Sequence, residues 1–420
     1  MLSRPLIVAA SNAVSLLIRL IIVILVTNRL NPADSDLFLY AYAVALAVGA
    51  FTDFGLRTSL FITSASASFL TQRENWGDIL CYRIISGLAG AAIFIVMVLA
   101  SGVYAPLVTV GMAIYAINTS NADPFVALMR GQRQNVRESL VRLTENLATL
   151  SIFGIILILF NPTPGLLALT LMLTSIARLF VTKRMGDRYL KPLMRLDLCK
   201  VSAIFRSNLP NGISFGLTNL TQRFPVLLIP FIPGEQSISS ITVSLMIVQS
   251  LQIFSTTLSQ ILMPKLVASS NSVTVLKVRL GFVSVSAILV AVGAIGGFML
   301  FFILPLVEPL LNIDLSVAER TWLAISVPTV LGLDFCRFVV VAIGQTARFA
   351  MIQFLALILY ASILLFAFNP VTEADILGLF AAAQTLIFVS GLRLMHRAEK
   401  GEPPARAEAR NSDDYPHSRT

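Results

Sequence analysis

SNAVSLLIRLIIVILVTNRLNPADSDLFLYAYAVALAVGAFTDFGLRTSL, residues 11–60, contains two long apolar segments on either side of a short polar turn. A helix needs roughly 20 apolar residues to cross the hydrocarbon core of a bilayer. Each segment therefore predicts one transmembrane helix. The first is too long for the apolar region of a signal peptide and contains Arg19, so we expect it to remain in the mature protein.

The composition extends this interpretation to the whole chain. Of the 420 residues, 56% are hydrophobic and 13% are charged, and the mean hydropathy is +0.83. The charged fraction is about half the roughly 25% that is typical of soluble domains. Polar groups this sparse could not cover a water-facing surface. The composition therefore excludes an ordinary soluble enzyme and a large disordered protein, and lipid must solvate most of the chain.

Apolar runs of spanning length recur along the chain and predict an all-α polytopic membrane protein with about twelve transmembrane helices. The predicted spans are Pro5–Val26, Leu37–Ile62, Ile79–Ala100, Leu107–Leu128, Leu140–Phe160, Leu166–Val181, Leu209–Ile232, Ile238–Met263, Gly281–Leu304, Trp322–Ala342, Phe349–Phe368 and Ile376–Leu394. The sixth run is short, and it crosses the bilayer if its end residues snorkel to the interface.

Lysine and arginine positions set the predicted orientation. With the N-terminus inside, the predicted external segments contain two basic residues, Arg29 and Arg320. Basic residues concentrate on the cytoplasmic side of membrane proteins, so we expect both termini to be cytoplasmic. The net charge of +9 does not indicate a nucleic-acid partner, because the basic residues are scattered through short loops between apolar runs.

Metal and triad chemistry is not predicted. The two histidines, His396 and His417, lie in the C-terminal tail, while Cys81, Cys199 and Cys336 are far apart and match no metal or redox spacing. We therefore expect no cofactor, no structural zinc site and no Ser-His-Asp triad in the membrane body.

A basic segment divides the chain into two similar halves. We predict a six-helix bundle over residues 1–182, a cytoplasmic linker over 183–206, a second six-helix bundle over 207–395 and a disordered cytoplasmic tail over 396–420. The pattern F-V-x-x-x-x-G-Q begins at Phe125 in the first half and at Phe338 in the second. Parallel six-plus-six repeats occur in transporters, with the binding site near the midplane between the halves.

Four arginines, Arg19, Arg57, Arg223 and Arg337, fall more than a turn inside predicted spans. An arginine at the centre of a membrane helix costs about 2.5–3.5 kcal/mol on insertion scales. These side chains should therefore face a water-filled cavity or pair with acids. Other arginines, such as Arg83, lie close enough to an inner helix end to snorkel out.

Helical spacing separates the four arginines into two classes. Asp53 lies four residues before Arg57, and Asp334 lies three before Arg337, so each pair shares a helix face. For Arg57 and Arg337 a structural and a functional role are equally supported.

Arg19 and Arg223 have no acid within a helical turn. We expect them to face a cavity and to bind an anion, because guanidinium groups suit bidentate phosphate binding. The alternative is that they snorkel or hold two helices together.

Acidic residues inside spans mark candidate ion sites. Asp123, Glu145, Asp53 and Asp334 are the candidates for binding a coupling proton or sodium ion. The alternative is that each acid only balances a neighbouring arginine.

Several segments, in their order along the chain, resemble bacterial polysaccharide flippases of the multidrug/oligosaccharidyl-lipid/polysaccharide exporter superfamily. Residues 11–60 resemble the first two helices of that family, including the Asp-x-Gly-Leu step at Asp53. ALMRGQRQNVRESLV (127–141) resembles the basic loop after its fourth helix. SNLPNGISFGLTNL (207–220) and ILMPKLVAS (261–269) resemble the start of its second half and the end of its eighth helix.

This resemblance implies a MATE-like, V-shaped pair of six-helix bundles around a central cavity. It implies a non-enzymatic flippase that moves undecaprenyl-pyrophosphate-linked oligosaccharide across the bacterial inner membrane by alternating access, for O-antigen or exopolysaccharide biosynthesis. Arg19, Arg223, Arg57 and Arg337 would then bind the pyrophosphate. The implied partners are this lipid-linked oligosaccharide, membrane lipids and polysaccharide polymerase or export proteins.

Three other interpretations fit the composition. A multidrug-type antiporter of the same superfamily would need acids in its cavity to bind cationic drugs, whereas the unpaired charges here are basic. A membrane polysaccharide polymerase or ligase usually carries a large external loop, whereas the longest predicted external segment is 304–321. A scaffold for assembly partners would have no use for intramembrane arginines.

Overall fold

α-Helices make up nearly all of the described part of the computed structural model. It describes residues 3–53, 56, 60, 76–131, 134–160, 162–186, 198–232, 237–252, 255, 272–311, 313–342, 345–366 and 371–399. These residues form twelve α-helices and no strand: α1 (Ser3–Arg29), α2 (Pro32–Thr52), α3 (Trp76–Ala100), α4 (Pro106–Gly131), α5 (Asn135–Leu159), α6 (Pro164–Gly186), α7 (Leu198–Leu228), α8 (Ile238–Leu251), α9 (Ser272–Leu311), α10 (Val317–Ala342), α11 (Thr346–Phe366) and α12 (Glu373–Glu399).

Each helix overlaps one predicted span, but several are longer than hydropathy predicts. Helix α9 has 40 residues and continues to Leu311, and α10 begins at Val317, so the predicted external segment 304–321 is largely helical. Helix α12 continues to Glu399. Hydropathy marks only the part of a helix that lies in hydrocarbon, whereas backbone hydrogen bonding continues beyond it. Both ends of the predicted linker 183–206 are helical, since 183–186 belong to α6 and 198–206 to α7, while 187–197 lie outside the described residues. The predicted tail 396–420 is helical as far as Glu399, and its remainder lies outside the described residues.

Two of the helices that carry ionisable groups, α4 and α10, lie inside the protein. Eight helices are long and apolar enough to cross a membrane by length and composition: α1, α2, α3, α5, α6, α9, α11 and α12. Of the others, α8 has 14 described residues, and α4, α7 and α10 carry ionisable groups such as Asp123, Arg223 and Asp334. Helices α4 and α10 each pack against four other helices of their own half, which keeps these groups away from lipid.

Helix packing repeats between the two halves. The pairs α1–α5, α2–α4, α3–α4, α4–α6 and α5–α6 recur as α7–α11, α8–α10, α9–α10, α10–α12 and α11–α12. We call α1–α6 the N-terminal bundle and α7–α12 the C-terminal bundle. The bundles meet through α2–α7 and α1–α8, which are equivalent pairs under the same repeat. The chain is thus two similar six-helix bundles with a pseudo-two-fold relation.

Small residues let α9 and α10 pack backbone to backbone. A Cβ atom added at Gly297 would lie 2.3 Å from the carbonyl oxygen of Ala324, and one at Gly293 would lie 2.6 Å from the Cα atom of Pro328. Gly293 and Gly297 are four residues apart and therefore share a face of α9. Such small-xxx-small spacing is a common basis of helix association in membranes.

We predict that Gly297→Ala lowers the Tm of the purified protein in detergent. The new methyl group meets a backbone atom that cannot rotate away, and overpacking of this kind costs about 1–3 kcal/mol. Gly296→Ala is the matched control, because a Cβ there would lie 3.8 Å from Val327. It should leave the Tm unchanged or slightly higher, since alanine favours helix more than glycine does. Equal Tm values for the two variants would contradict this packing.

Candidate functional site

A cavity of about 70 Å³ lies between the two bundles, and Arg19 and Arg223 both line it. Arg19 comes from α1 and Arg223 from α7. The remaining walls come from α2, with Tyr42 among its residues, and from α8, with Gln249. The structure therefore places in the wall of one cavity the two arginines that have no acid nearby in sequence.

Arg19 also borders two further cavities. One, of about 30 Å³, lies within the N-terminal bundle and is lined by Tyr115, Asn146 and other polar groups. The other, of about 140 Å³, is lined mostly by polar residues, with Asn12 and Gln252 among them. Arg19 is thus the side chain where three cavities of the protein meet, and their walls combine guanidinium, amide and hydroxyl groups.

The charges of Arg19 and Arg223 are not neutralised within the part of the chain that the structure describes. Both side chains are half-buried. Arg223 donates from Nη1 to the carbonyl oxygen of Asn219 at 3.3 Å, and no described acid forms an ion pair with either arginine. A half-buried guanidinium without a counter-ion favours an anionic ligand.

Arg142 is a cavity residue that the sequence analysis missed. Its side chain lines the 140 Å³ cavity with Arg19, donates to Oδ1 of Asn12 at 3.2 Å and forms an ion pair with Glu138. Arg142 lies near the inner end of the predicted span Leu140–Phe160, a position from which an arginine can snorkel out. Asn12, an amide on the neighbouring helix α1, is the residue that could have pointed to Arg142. Spacing along a single helix, however, does not reveal contacts between two helices.

A buried ion cluster holds three helices of the N-terminal bundle together. The guanidinium of Arg83 lies 2.8 Å from Oδ1 of Asp53 and 3.7 Å from Oδ2 of Asp123, and the Arg83 and Asp53 side chains are both only 1% exposed. Arg83 also donates to Oγ of Ser120 at 3.2 Å. The expectation that Arg83 snorkels was wrong, because these partners on neighbouring elements compensate its charge in the interior.

Glu145 likewise forms a buried ion pair with an arginine of a neighbouring helix. Its Oε2 lies 3.3 Å from Nε of Arg178, with both side chains about nine-tenths buried. Glu145 also lines the 30 Å³ cavity beside Arg19. The arginine on α6 therefore neutralises the acid on α5, and no acid among the described residues pairs with Arg19.

Arg337 lies away from the cavity of Arg19 and Arg223. Its guanidinium is 3.5 Å from Oδ1 of Asp334 and stacks 5.1 Å from the ring centroid of Phe215 on α7. Ser255 donates to Oδ2 of Asp334 at 3.0 Å. This pair joins α10 to α7, whereas Arg57, the fourth predicted arginine, lies outside the described residues.

Hydrogen bonds join the two bundles at the end of the cavity where α1 ends and α2 begins. The backbone N–H of Ser239, in the first turn of α8, donates to Oδ1 of Asp36 at 2.8 Å. The hydroxyls of Ser239 and Ser35 lie 3.0 Å apart. A carboxylate at a helix N-terminus is favoured by the helix dipole. These contacts close one end of the space between the bundles.

No family model and no curated protein matches the sequence, but solved structures match the fold. The eukaryotic MATE transporter AtDTX14 is 14% identical with a TM-score of 0.71, covering 94% of this chain and 97% of that one. A mutant of the Vibrio cholerae MATE transporter VcmN is 12% identical, with a TM-score of 0.64 and coverage of 96% and 97%. A MOP superfamily transporter from Pyrococcus furiosus is 10% identical, with a TM-score of 0.63 and coverage of 94% and 95%. The chain has the MATE fold, as predicted.

We predict that Arg83→Met strongly lowers the Tm and the yield of folded protein. Removing one partner of a buried ion pair leaves an uncompensated charge, which costs about 3–5 kcal/mol. Arg184→Met, at an exposed arginine of α6, is the control and should behave like the unaltered protein. Adding Asp53→Asn to Arg83→Met should recover part of the loss. If Arg83→Met and Arg184→Met have the same Tm, the ion cluster does not stabilise the fold.

Proposed function

We propose that this chain is a flippase that moves an undecaprenyl-pyrophosphate-linked oligosaccharide across the bacterial inner membrane, for surface polysaccharide biosynthesis. One observation carries the proposal: Arg19 and Arg223, from different bundles, line one cavity without a described counter-ion. An anionic headgroup that crosses the membrane needs cationic side chains to compensate its charge. The MATE fold supports a transporter, and the sequence resemblance to polysaccharide flippases supports the choice of substrate.

The chemistry of the cavity walls fits both parts of such a headgroup. Guanidinium groups bind phosphate oxygens through two parallel N–H donors. Asn12, Gln249 and Gln252 supply amides near Arg19, which can donate to and accept from sugar hydroxyls. Tyr42 adds an aromatic ring with a polar tip on the wall shared by both arginines.

Alternating access would proceed by rocking of the two bundles about their shared surface. The contacts of Asp36 with Ser239 join the bundles at the proposed external end, and with this orientation they would close the cavity on the outer side. The basic loops then lie on the cytoplasmic side, together with both termini. All four candidate acids for a coupling proton or sodium ion lie within ion-pair distance of an arginine: Asp53 and Asp123 of Arg83, Glu145 of Arg178 and Asp334 of Arg337. This pairing favours the alternative that each acid balances an arginine.

The fold comparisons fit a multidrug-type antiporter equally well, and the charge of the cavity favours the flippase. A cationic drug would meet two arginines, while Glu145 and Asp334 are already paired with Arg178 and Arg337. For the Pyrococcus furiosus transporter, a reverse polarity of the binding pocket has been taken to suggest a different function. A polymerase or ligase is disfavoured because α9 and α10 are joined by only a short external segment, 312–316.

Ligand charge tests the proposal in the purified protein. We expect undecaprenyl diphosphate to bind to the protein in nanodiscs, and tetraphenylphosphonium not to bind. Arg19→Gln and Arg223→Gln should each weaken undecaprenyl diphosphate binding by about 10- to 100-fold, since a charge-assisted hydrogen bond contributes about 1.5–3 kcal/mol. Arg29→Gln is the matched control, because Arg29 is exposed at the end of the same helix.

Two outcomes would contradict the proposal. One is tight binding of tetraphenylphosphonium that undecaprenyl diphosphate does not displace. This result would favour the multidrug-type function. The other is undecaprenyl diphosphate binding that Arg19→Gln and Arg223→Gln leave unchanged. The Tm of each variant should be measured in parallel, so that loss of binding is separated from loss of folding.

A further inference from the structure

An apolar groove of about 710 Å³ runs between α7 and α11 on the lipid-facing side of the C-terminal bundle. Every residue that lines it is apolar, from Leu209 and Pro210 at one end to Phe224 and Ala361 at the other. Its outer rim is exposed, and Phe354 of α11 is 53% exposed. The volume lies within the roughly 300–1,000 Å³ of ordinary ligand pockets.

Buried hydrogen bonds hold the groove open. The amide nitrogen of Gln353 donates to Oγ1 of Thr218 at 2.7 Å, and Ser214 donates to Oε1 of Gln353 at 3.4 Å. Gln353 is fully buried. These bonds fix the spacing of α7 and α11 behind the groove, while Leu217, Ala350 and their neighbours form its floor. The groove is therefore preformed.

The groove reaches the surface where the two bundles meet. Phe51, near the end of α2, contributes to its lining, and a Cβ atom added at Gly216 of α7 would lie 2.5 Å from the Phe51 ring. Phe51 of the N-terminal bundle thus packs against α7 of the C-terminal bundle. Rocking of the bundles would change the groove and the charged cavity together.

Helix α7 lies between the groove and the cavity of Arg19 and Arg223. Its Gln222 and Arg223 line the cavity, whereas Leu220 and Phe224 line the groove. The groove extends from this level towards the ends of α2, α7 and α11 that carry the proposed cytoplasmic loops. An apolar chain in the groove and a diphosphate at Arg223 would therefore be held by two faces of one helix.

Resting on the proposed function, we infer that this groove binds the isoprenoid chain of the lipid-linked substrate while its diphosphate lies between the bundles. Both sites border the α2–α7 pair where the bundles meet: Tyr42 and Arg223 line the cavity, and Phe51 and Phe224 line the groove. This shared border favours a polyprenyl diphosphate over bulk phospholipid. A bulk acyl chain gains nothing from the neighbouring arginine, whereas a polyprenyl diphosphate contacts both sites at once. The second contact is intramolecular, which raises the effective concentration of the chain at the groove.

Site-specific photocrosslinking tests the inference. The photoreactive residue p-benzoylphenylalanine replaces Phe354, which lines the groove, or Leu355, which is equally exposed on the same helix but outside the groove lining. The purified variants are reconstituted in phosphatidylethanolamine vesicles that contain a minor fraction of undecaprenyl diphosphate. We expect the lipid adducts at position 354 to be enriched in undecaprenyl diphosphate about tenfold over its mole fraction, and those at position 355 to follow the bulk composition.

Groove-filling variants give an independent readout. Ala347→Trp, at a groove residue, should slow transport of undecaprenyl-linked substrate several-fold while leaving the affinity for inorganic diphosphate unchanged. Ala92→Trp, at an exposed alanine of α3, is the control and should leave transport unchanged. Phospholipid adducts in bulk proportion at both positions would overturn the groove assignment. That failure is distinct from failure of the flippase proposal, which would appear as the absence of diphosphate binding.

Discussion

The cost of placing guanidinium charge inside a membrane protein governs the arrangement of this molecule. Arg83 and Arg178 are buried against acids from neighbouring elements, and these ion pairs hold the N-terminal bundle together. Arg19 and Arg223 have no described acidic partner and instead line the space between the bundles. Since an uncompensated arginine is expensive in hydrocarbon, the position of these two residues is consistent with the packing of α1, α2, α7 and α8 around the cavity that both of them line.

The internal repeat explains why the two arginines meet. Equivalent helices occupy equivalent places in the two bundles, and the bundles join through the equivalent pairs α2–α7 and α1–α8. The first helix of each bundle therefore faces the other bundle, and each contributes one arginine to the shared surface. The same surface carries the closed contact of Asp36 with Ser239 and the edge of the apolar groove at Phe51. The cavity lined by the two arginines, the contact that closes one end of it and the edge of the apolar groove thus all lie at one interface.

Much of the fold could be predicted from sequence, because a helix that crosses a bilayer needs roughly 20 apolar residues. Twelve runs correspond to twelve described helices, although the extent of α9 could not be predicted from hydropathy. The lack of a nearby acid correctly set Arg19 and Arg223 apart from Arg337, which is paired with Asp334. The partners of Arg83 lie on other elements, and same-helix spacing contains no information on such contacts. For the same reason, the place of Arg142 in the cavity wall emerged only with the structure.

The central claim is that the charged cavity carries a lipid-linked oligosaccharide from one leaflet to the other. The most direct measurement is made in a strain that lacks this chain. Lipid-linked oligosaccharide is quantified by mass spectrometry, and its sidedness is determined by glycosidase access to inverted and right-side-out vesicles. The account predicts that complete, unpolymerised repeat units accumulate on the cytoplasmic face. Accumulation of single repeat units on the outer face would instead show a lost polymerase or ligase step and would contradict the account.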